Sequence, residues 1–147
     1  MTNPTADLTT DLTKMLAELW SEDARVREAA CDALVGLAVD NVDLRRAQPA
    51  LVWLMRDPDP RVRLAAVRVT EMRADLGCDV GLAVPALIEL ASDDDDDLRA
   101  CVWRTLRHAS ARTPFLHRLP GLIERGLADR DPRVAEHARV LRDRARG

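Results

Sequence analysis

Five consecutive aspartates, Asp93 to Asp97, are the densest run of like charge in the 147-residue chain. Carboxylates packed this closely suit a divalent cation, a basic partner, or a helix start that tolerates them. A calcium loop of the EF-hand type needs alternate spacing, a glycine and a distal glutamate, and none is present. Histidines 108, 117 and 137 and cysteines 31, 78 and 101 are the other candidates for metal or nucleophile chemistry. They fall into no ligand spacing, so surface or packing histidines and idle thiols are expected. No phosphate-binding loop, dinucleotide fingerprint, nucleophile elbow or zinc-helix motif occurs. No catalytic residue, cofactor or metal site is therefore expected.

The rest of the composition says what holds these residues in place. Apolar residues make up 47% of the chain but aromatic ones only 3%. A core of Leu, Val and Ala favours closely packed helices over sheets. The longest clean apolar run, Ala50 to Met55, is far too short to span a bilayer. The opening MTNPTADLTTD lacks the basic start and apolar stretch of a secretory signal. With an odd cysteine count as well, a soluble cytoplasmic protein is expected. The net charge of −3 hides a gradient, with 3 basic and 8 acidic groups in residues 1–42 but 9 and 5 in residues 112–147.

A repeat explains the aspartates. SEDARVREAA from Ser21, DPDPRVRLAA from Asp57, DDDDDLRACV from Asp93 and DRDPRVAEHA from Asp129 start 36 residues apart without a gap. Asp23, Asp59, Asp95 and Asp131 coincide, as do Val26, Val62, Leu98 and Val134. Upstream, QPALVWLM from Gln48, VPALIELA from Val84 and PGLIERGL from Pro120 align in the same frame. The spacing predicts an all-α protein, an α-solenoid of four 36-residue helical hairpins forming a single domain over 1–147. Its units are 7–42, 43–78, 79–114 and 115–147. In the second helix of unit one, Val26, Ala30, Ala33, Leu34 and Leu37 form the buried stripe. An aspartate before each second helix is placed to cap it. Asp7, Asp43 and Asp79, with Thr113-Pro114 in the last unit, are placed to open the first helices. Pro49 and Pro85 mark where a first helix starts afresh or kinks.

QPALVWLMRDPDPRVRLAAVRV and VPALIELASDDDDDLRACVWRTL resemble HEAT repeats, specifically the bacterial type that includes phycobilin lyases. The shared marks are a Pro-Ala-Leu opening, a D-x-D-x-x-V-R turn and an alanine inside the second helix. Unit one lacks the proline and unit four has Ala135 in place of the arginine. The resemblance implies that the recurring Asp23/Arg27, Asp59/Arg63 and Asp95/Arg99 form ladders between adjacent repeats. HEAT-like iron hydroxylases carry His-Glu pairs in their second helices. Here the same place reads Arg27-Glu28, Arg63-Leu64 and Arg99-Ala100, which excludes that activity.

What remains is a binding surface. The second helices are expected to line the concave face with Glu28 and Asp32, then Arg68 and Glu71, then Arg104 and Arg107, then Glu136 and Asp143. This mixed charge suits a protein or peptide and makes no continuous basic track. Asp94, Asp96 and Asp97 stand where other units have proline or arginine, and form a candidate acidic contact. Trp53 aligns with Ala17, Glu89 and Arg125, so it either points outward as a convex contact or folds over a neighbouring helix. Trp103 is expected to pack between repeats. The favoured reading is a non-catalytic scaffold that binds another protein. The alternatives are a nucleic-acid-binding HEAT-like protein, a lyase subunit, or a toxin-neutralising immunity protein. An acidic head and basic tail predict a mainly monomeric protein with weak, salt-sensitive head-to-tail association.

Overall fold

The computed structural model describes residues 4–115 and 119–147. Among these residues the chain forms eight α-helices and no strand. They are α1 (Pro4–Glu18), α2 (Ala24–Val39), α3 (Gln48–Leu54), α4 (Pro60–Asp75), α5 (Val84–Leu90), α6 (Asp96–Ala109), α7 (Pro120–Leu127) and α8 (Pro132–Arg146). None is long and apolar enough to cross a membrane.

Each second helix starts at the same device. Asp23, Asp59, Asp95 and Asp131 all adopt extended backbone and accept an amide of the first turn, from Arg25 (2.8 Å), Arg61 (2.9 Å), Leu98 (2.7 Å) and Arg133 (2.9 Å). The caps satisfy amides that a helix N-terminus leaves free. The other ends of α2 and α4 are equally regular. Asn41 and Gly77, 36 residues apart, take positive φ, and the amides of Val42 and Cys78 return to the carbonyls of Leu37 (3.0 Å) and Arg73 (2.8 Å). These are Schellman turns, where glycine or asparagine relieves the Cβ penalty.

The first helices depart from expectation in their openings. Asp43 and Asp79 do not cap α3 and α5. They accept from Arg45 (2.9 Å) and Gly81 (2.8 Å), at single 3-10 turns, Arg45–Ala47 and Gly81–Ala83. The α-helices then start afresh, with Pro49 and Pro85 in their first turns, where a missing amide costs nothing. Asp7 lies inside α1, and Thr113-Pro114 precedes α7 by several residues. Unit one has Thr13 at the proline position, so α1 runs unbroken for 15 residues, against 7 in α3 and α5.

Each first helix packs on its own second helix, and the second helices pack in succession, α2 on α4, α4 on α6, α6 on α8. Residues 30, 66, 102 and 138 of the frame are Ala, Ala, Val and Ala, all buried, and their small size lets these helices approach. Leu34, Leu106 and Leu141 fill the remaining volume, each contributing roughly 1.5–3 kcal/mol on burial. Ala33, expected in this stripe, is exposed: it lies one step round the helix from Leu34. Direct packing is closer among second helices than among first helices.

Candidate protein-binding face

At the edge where second helices begin, the repeats are tied by charge. Arg27 donates to both oxygens of Asp57 (2.8 and 3.0 Å) and to the carbonyls of Ser21 and Glu22. Arg99 does the same with Asp129 (3.0 and 2.9 Å) and the carbonyls of Asp93 and Asp94. Between them Arg63 reaches Asp93 by one contact of 3.5 Å, and its Nε is buried without a partner. So the ladder is real, but its acceptors are Asp57, Asp93 and Asp129, not Asp59, Asp95 or Asp131. Those are occupied as caps. The hydrogen bond from Arg99 holds the Asp129 carboxyl below its ordinary range, and the same bond raises Arg99.

The aspartate run is resolved residue by residue. Asp93 is a rung and accepts the Asp95 amide (3.0 Å); Asp95 is the cap. Asp96 accepts from Arg130 (2.8 Å) and from Arg99 (2.7 Å), which together lower its pKa. Asp97 accepts from Arg133 (2.8 Å). The two surplus carboxylates thus hold unit three to the arginines of unit four. Asp94 alone in the run keeps an exposed carboxylate without a partner.

The face formed by the second helices separates into two parts. On α2, Glu28 stands 3.9 Å from Arg61 and Asp32 is exposed. On α4, α6 and α8, a basin of about 450 Å³ brings together Arg68, Arg104, Asp97, Cys101, Arg133 and His137. Arg104 is bound by Glu71 (Nη2 to Oε2, 2.8 Å), which also accepts from the Cys101 thiol (3.3 Å). Arg107 Nη1 lies 3.5 Å from His137 Nδ1. Burial, reinforced by Arg107 and Arg104, pushes the His137 pKa down, so this ring is neutral at pH 7. Arg68 is exposed and, among the described residues, has neither hydrogen bond nor ion pair. Glu136 and Asp143 pair locally with Arg139 (2.9 Å) and Arg142 (3.1 Å), and do not join the basin.

Arg133 is not among the sequence candidates, and His137 is there only as a metal or packing histidine, not as part of the binding face. The signal was Arg25, Arg61, Asp97 and Arg133 at one frame position, a charged column along the face. Trp53 is 67% exposed, on α3. Trp20, 33 residues earlier and 60% exposed, was not singled out. Arg56 and Glu89 are also 33 apart and form an ion pair (2.8 Å), so the tryptophans hold in units one and two the places of that pair in units two and three. Trp103 is buried and donates to the Ala91 carbonyl (3.3 Å). Its ring lies against Gly126 of α7, where an added Cβ would come within 2.4 Å of it. Burial pushes the Cys31 and Cys101 thiols up to about 12, while Cys78 is exposed. His117 lies outside the described residues, among which no metal-ligating cluster forms.

Stacked helical hairpins with a repeated inter-unit ladder define an α-solenoid. The model of the HEAT repeat family matches residues 9–107, two thirds of the chain, and the chain belongs to that family. No curated protein matches it.

Proposed function

We propose that this protein is a non-catalytic scaffold, and that it seats an acidic segment of a partner protein in the basin between α4, α6 and α8. HEAT repeats commonly bind proteins, and the basin supplies the chemistry that such a segment needs. The observation that carries the reading is Arg68. Its neighbours Arg104 and Arg133 are already matched by Glu71 and by Asp97 and Asp131, whereas Arg68 stands exposed and unmatched at the basin wall. A carboxylate brought to it gains a bidentate, charge-assisted bond without breaking one. The acidic α2 end, with Glu28 and Asp32, repels the same segment and fixes its direction.

A displayed random-peptide library tests this. Peptides selected on the wild-type protein should be enriched in Asp and Glu, and Arg68→Glu should weaken them at least tenfold. Trp53→Ala, outside the basin, should leave them unchanged. A selection without acidic bias, or binding indifferent to Arg68→Glu, rejects the basin as the binding site.

A further inference from the structure

At the opposite ends of the second helices lies a hollow of about 520 Å³, bounded by the loops that follow α2 and α4. Arg73 lines it and is only 5% exposed. Among the described residues its guanidinium makes no hydrogen bond and no ion pair. The two carboxylates nearby are committed elsewhere: Asp43 to Arg45, through side chain and amide, and Asp79 to the Gly81 amide. Arginine does not shed its charge in proteins, and a buried, unmatched cation is costly. Burial accordingly presses the Arg73 pKa downward.

The frame shows how unusual this is. The same position holds Leu37 in α2 and Ala109 in α6, both buried. In the Schellman turn that ends α2, Leu37 and Val42 occupy the two places where an apolar contact ordinarily closes the turn. In α4 those places are Arg73 and Cys78. Of the four units one has a cation at this position, where the others have leucine or alanine (Ala145 in unit four is exposed).

The rim has a second character. Leu76 and Leu82 are large and apolar, about half exposed at 47% and 57%, and both line the hollow. Arg112 lies over Gly77 at the same edge, within 2.7 Å of where a Cβ would stand. The charged lining of the hollow is Arg45 and Arg73 with Asp43 and Asp79, and of these four Arg73 is the one with no hydrogen bond to its side chain among the described residues.

We infer that this hollow is a binding site for a carboxylate carried on an aliphatic body, the carboxylate seated on Arg73 and the body lying on Leu76 and Leu82. A planar guanidinium takes a carboxylate bidentately, and a few placed polar groups within an apolar wall are how small-ligand sites are built. The aliphatic body is either that of a free acid or that of a C-terminal residue of a peptide. The site is separate from the basin of the second-helix face and stands or falls without it.

Cys78 lines the same hollow and is exposed, while Cys31 and Cys101 are buried, so alkylation of the full-length protein reads this site alone. Octanoate represents the free acid, N-acetyl-leucine the peptide terminus, and N-acetyl-leucinamide lacks the charge. One or both acids should slow Cys78 alkylation saturably, and the arm that acts names the source. The amide should not. Arg73→Leu installs the residue that unit one already uses, so the variant should melt no lower than the parent and lose roughly tenfold or more of the protection. Asp79→Asn keeps the acceptor for Gly81, removes a repelling charge and should tighten binding. The inference is overturned by no saturable protection from either acid, by equal protection from the amide, or by protection unchanged in Arg73→Leu. It is overturned equally if Asp79→Asn fails to tighten binding.

Discussion

The two edges of this solenoid use the same residue types to opposite ends. Along the edge where second helices begin, half-buried Arg27 and buried Arg99 are satisfied by carboxylates of the next unit and carbonyls of their own. Along the edge where they end, Arg73 is as buried as Arg99 and has no hydrogen bond or ion pair among the described residues, beside exposed Leu76 and Leu82. The cost of desolvating a guanidinium is similar at both edges. Only one edge recovers it. Burial of a cation therefore says nothing by itself about stability, and its partners decide whether it serves the fold or something outside it.

Substitution should separate the edges widely. Arg99→Ala removes a guanidinium that is 6% exposed and leaves Asp129 and two carbonyls unmatched, so denaturant unfolding should show a loss of about 3 kcal/mol. If Arg99→Ala and Arg73→Leu are equally benign, the edges do not differ as described. A finer contrast lies within the paired edge. Asp129→Asn breaks a bidentate rung and should cost about 2 kcal/mol, whereas Asp93→Asn meets a single contact of 3.5 Å and should cost less than about 1 kcal/mol.

Acid should loosen the paired edge first. The carboxyls of Asp129, Asp96 and Asp131 are lowered by hydrogen bonds from arginines, and Arg61 brings Asp59 down to about 2. Groups depressed in the folded state contribute stability that is present above their ordinary value, about 4. That stability is lost as pH falls through the folded values. The melting temperature should hold from neutrality to about pH 5, then fall toward pH 2, less steeply in Arg99→Ala. The smallest effect belongs to neither edge. Trp53→Ala should leave the unfolding midpoint within about 0.5 kcal/mol, because its ring is mostly in solvent, and its fluorescence should be open to quenchers.

The period made most of this architecture legible, because an aspartate cap, a proline and an alanine seam recur on a fixed count. It pointed to the wrong one of two periodic aspartates: the ladder arginine pairs with Asp57 and its equivalents, not with Asp59 and its equivalents. Asp57 recurs in three units and Asp59 in all four, and only the backbone turn assigns Asp59 to the amide and Asp57 to the arginine of the preceding repeat. Trp53 was exposed where its equivalents are charged, as the frame implied without choosing. The roles of Asp96 and Asp97 escaped, since their partners, Arg130 and Arg133, lie a whole unit away. Arg73 is not legible from the period because, like buried Thr70 at the place of Leu34 and Leu106, it departs from the apolar stripe that the period describes.

The ladder also has a direction. Every rung is given by one unit and received by the following one, from Arg27 to Asp57, Arg63 to Asp93 and Arg99 to Asp129. At the receiving place of unit one stands Ser21, whose hydroxyl is turned to the Asp23 amide (3.2 Å). At the giving place of unit four stands Ala135. A second copy stacked end to end would meet a socket without charge and a plug without a pin. The junction would lack the tie that every internal junction has, leaving only the attraction of an acidic head for a basic tail, which salt screens. The same residues that join four units into one body thus withhold the means of adding a fifth from another molecule.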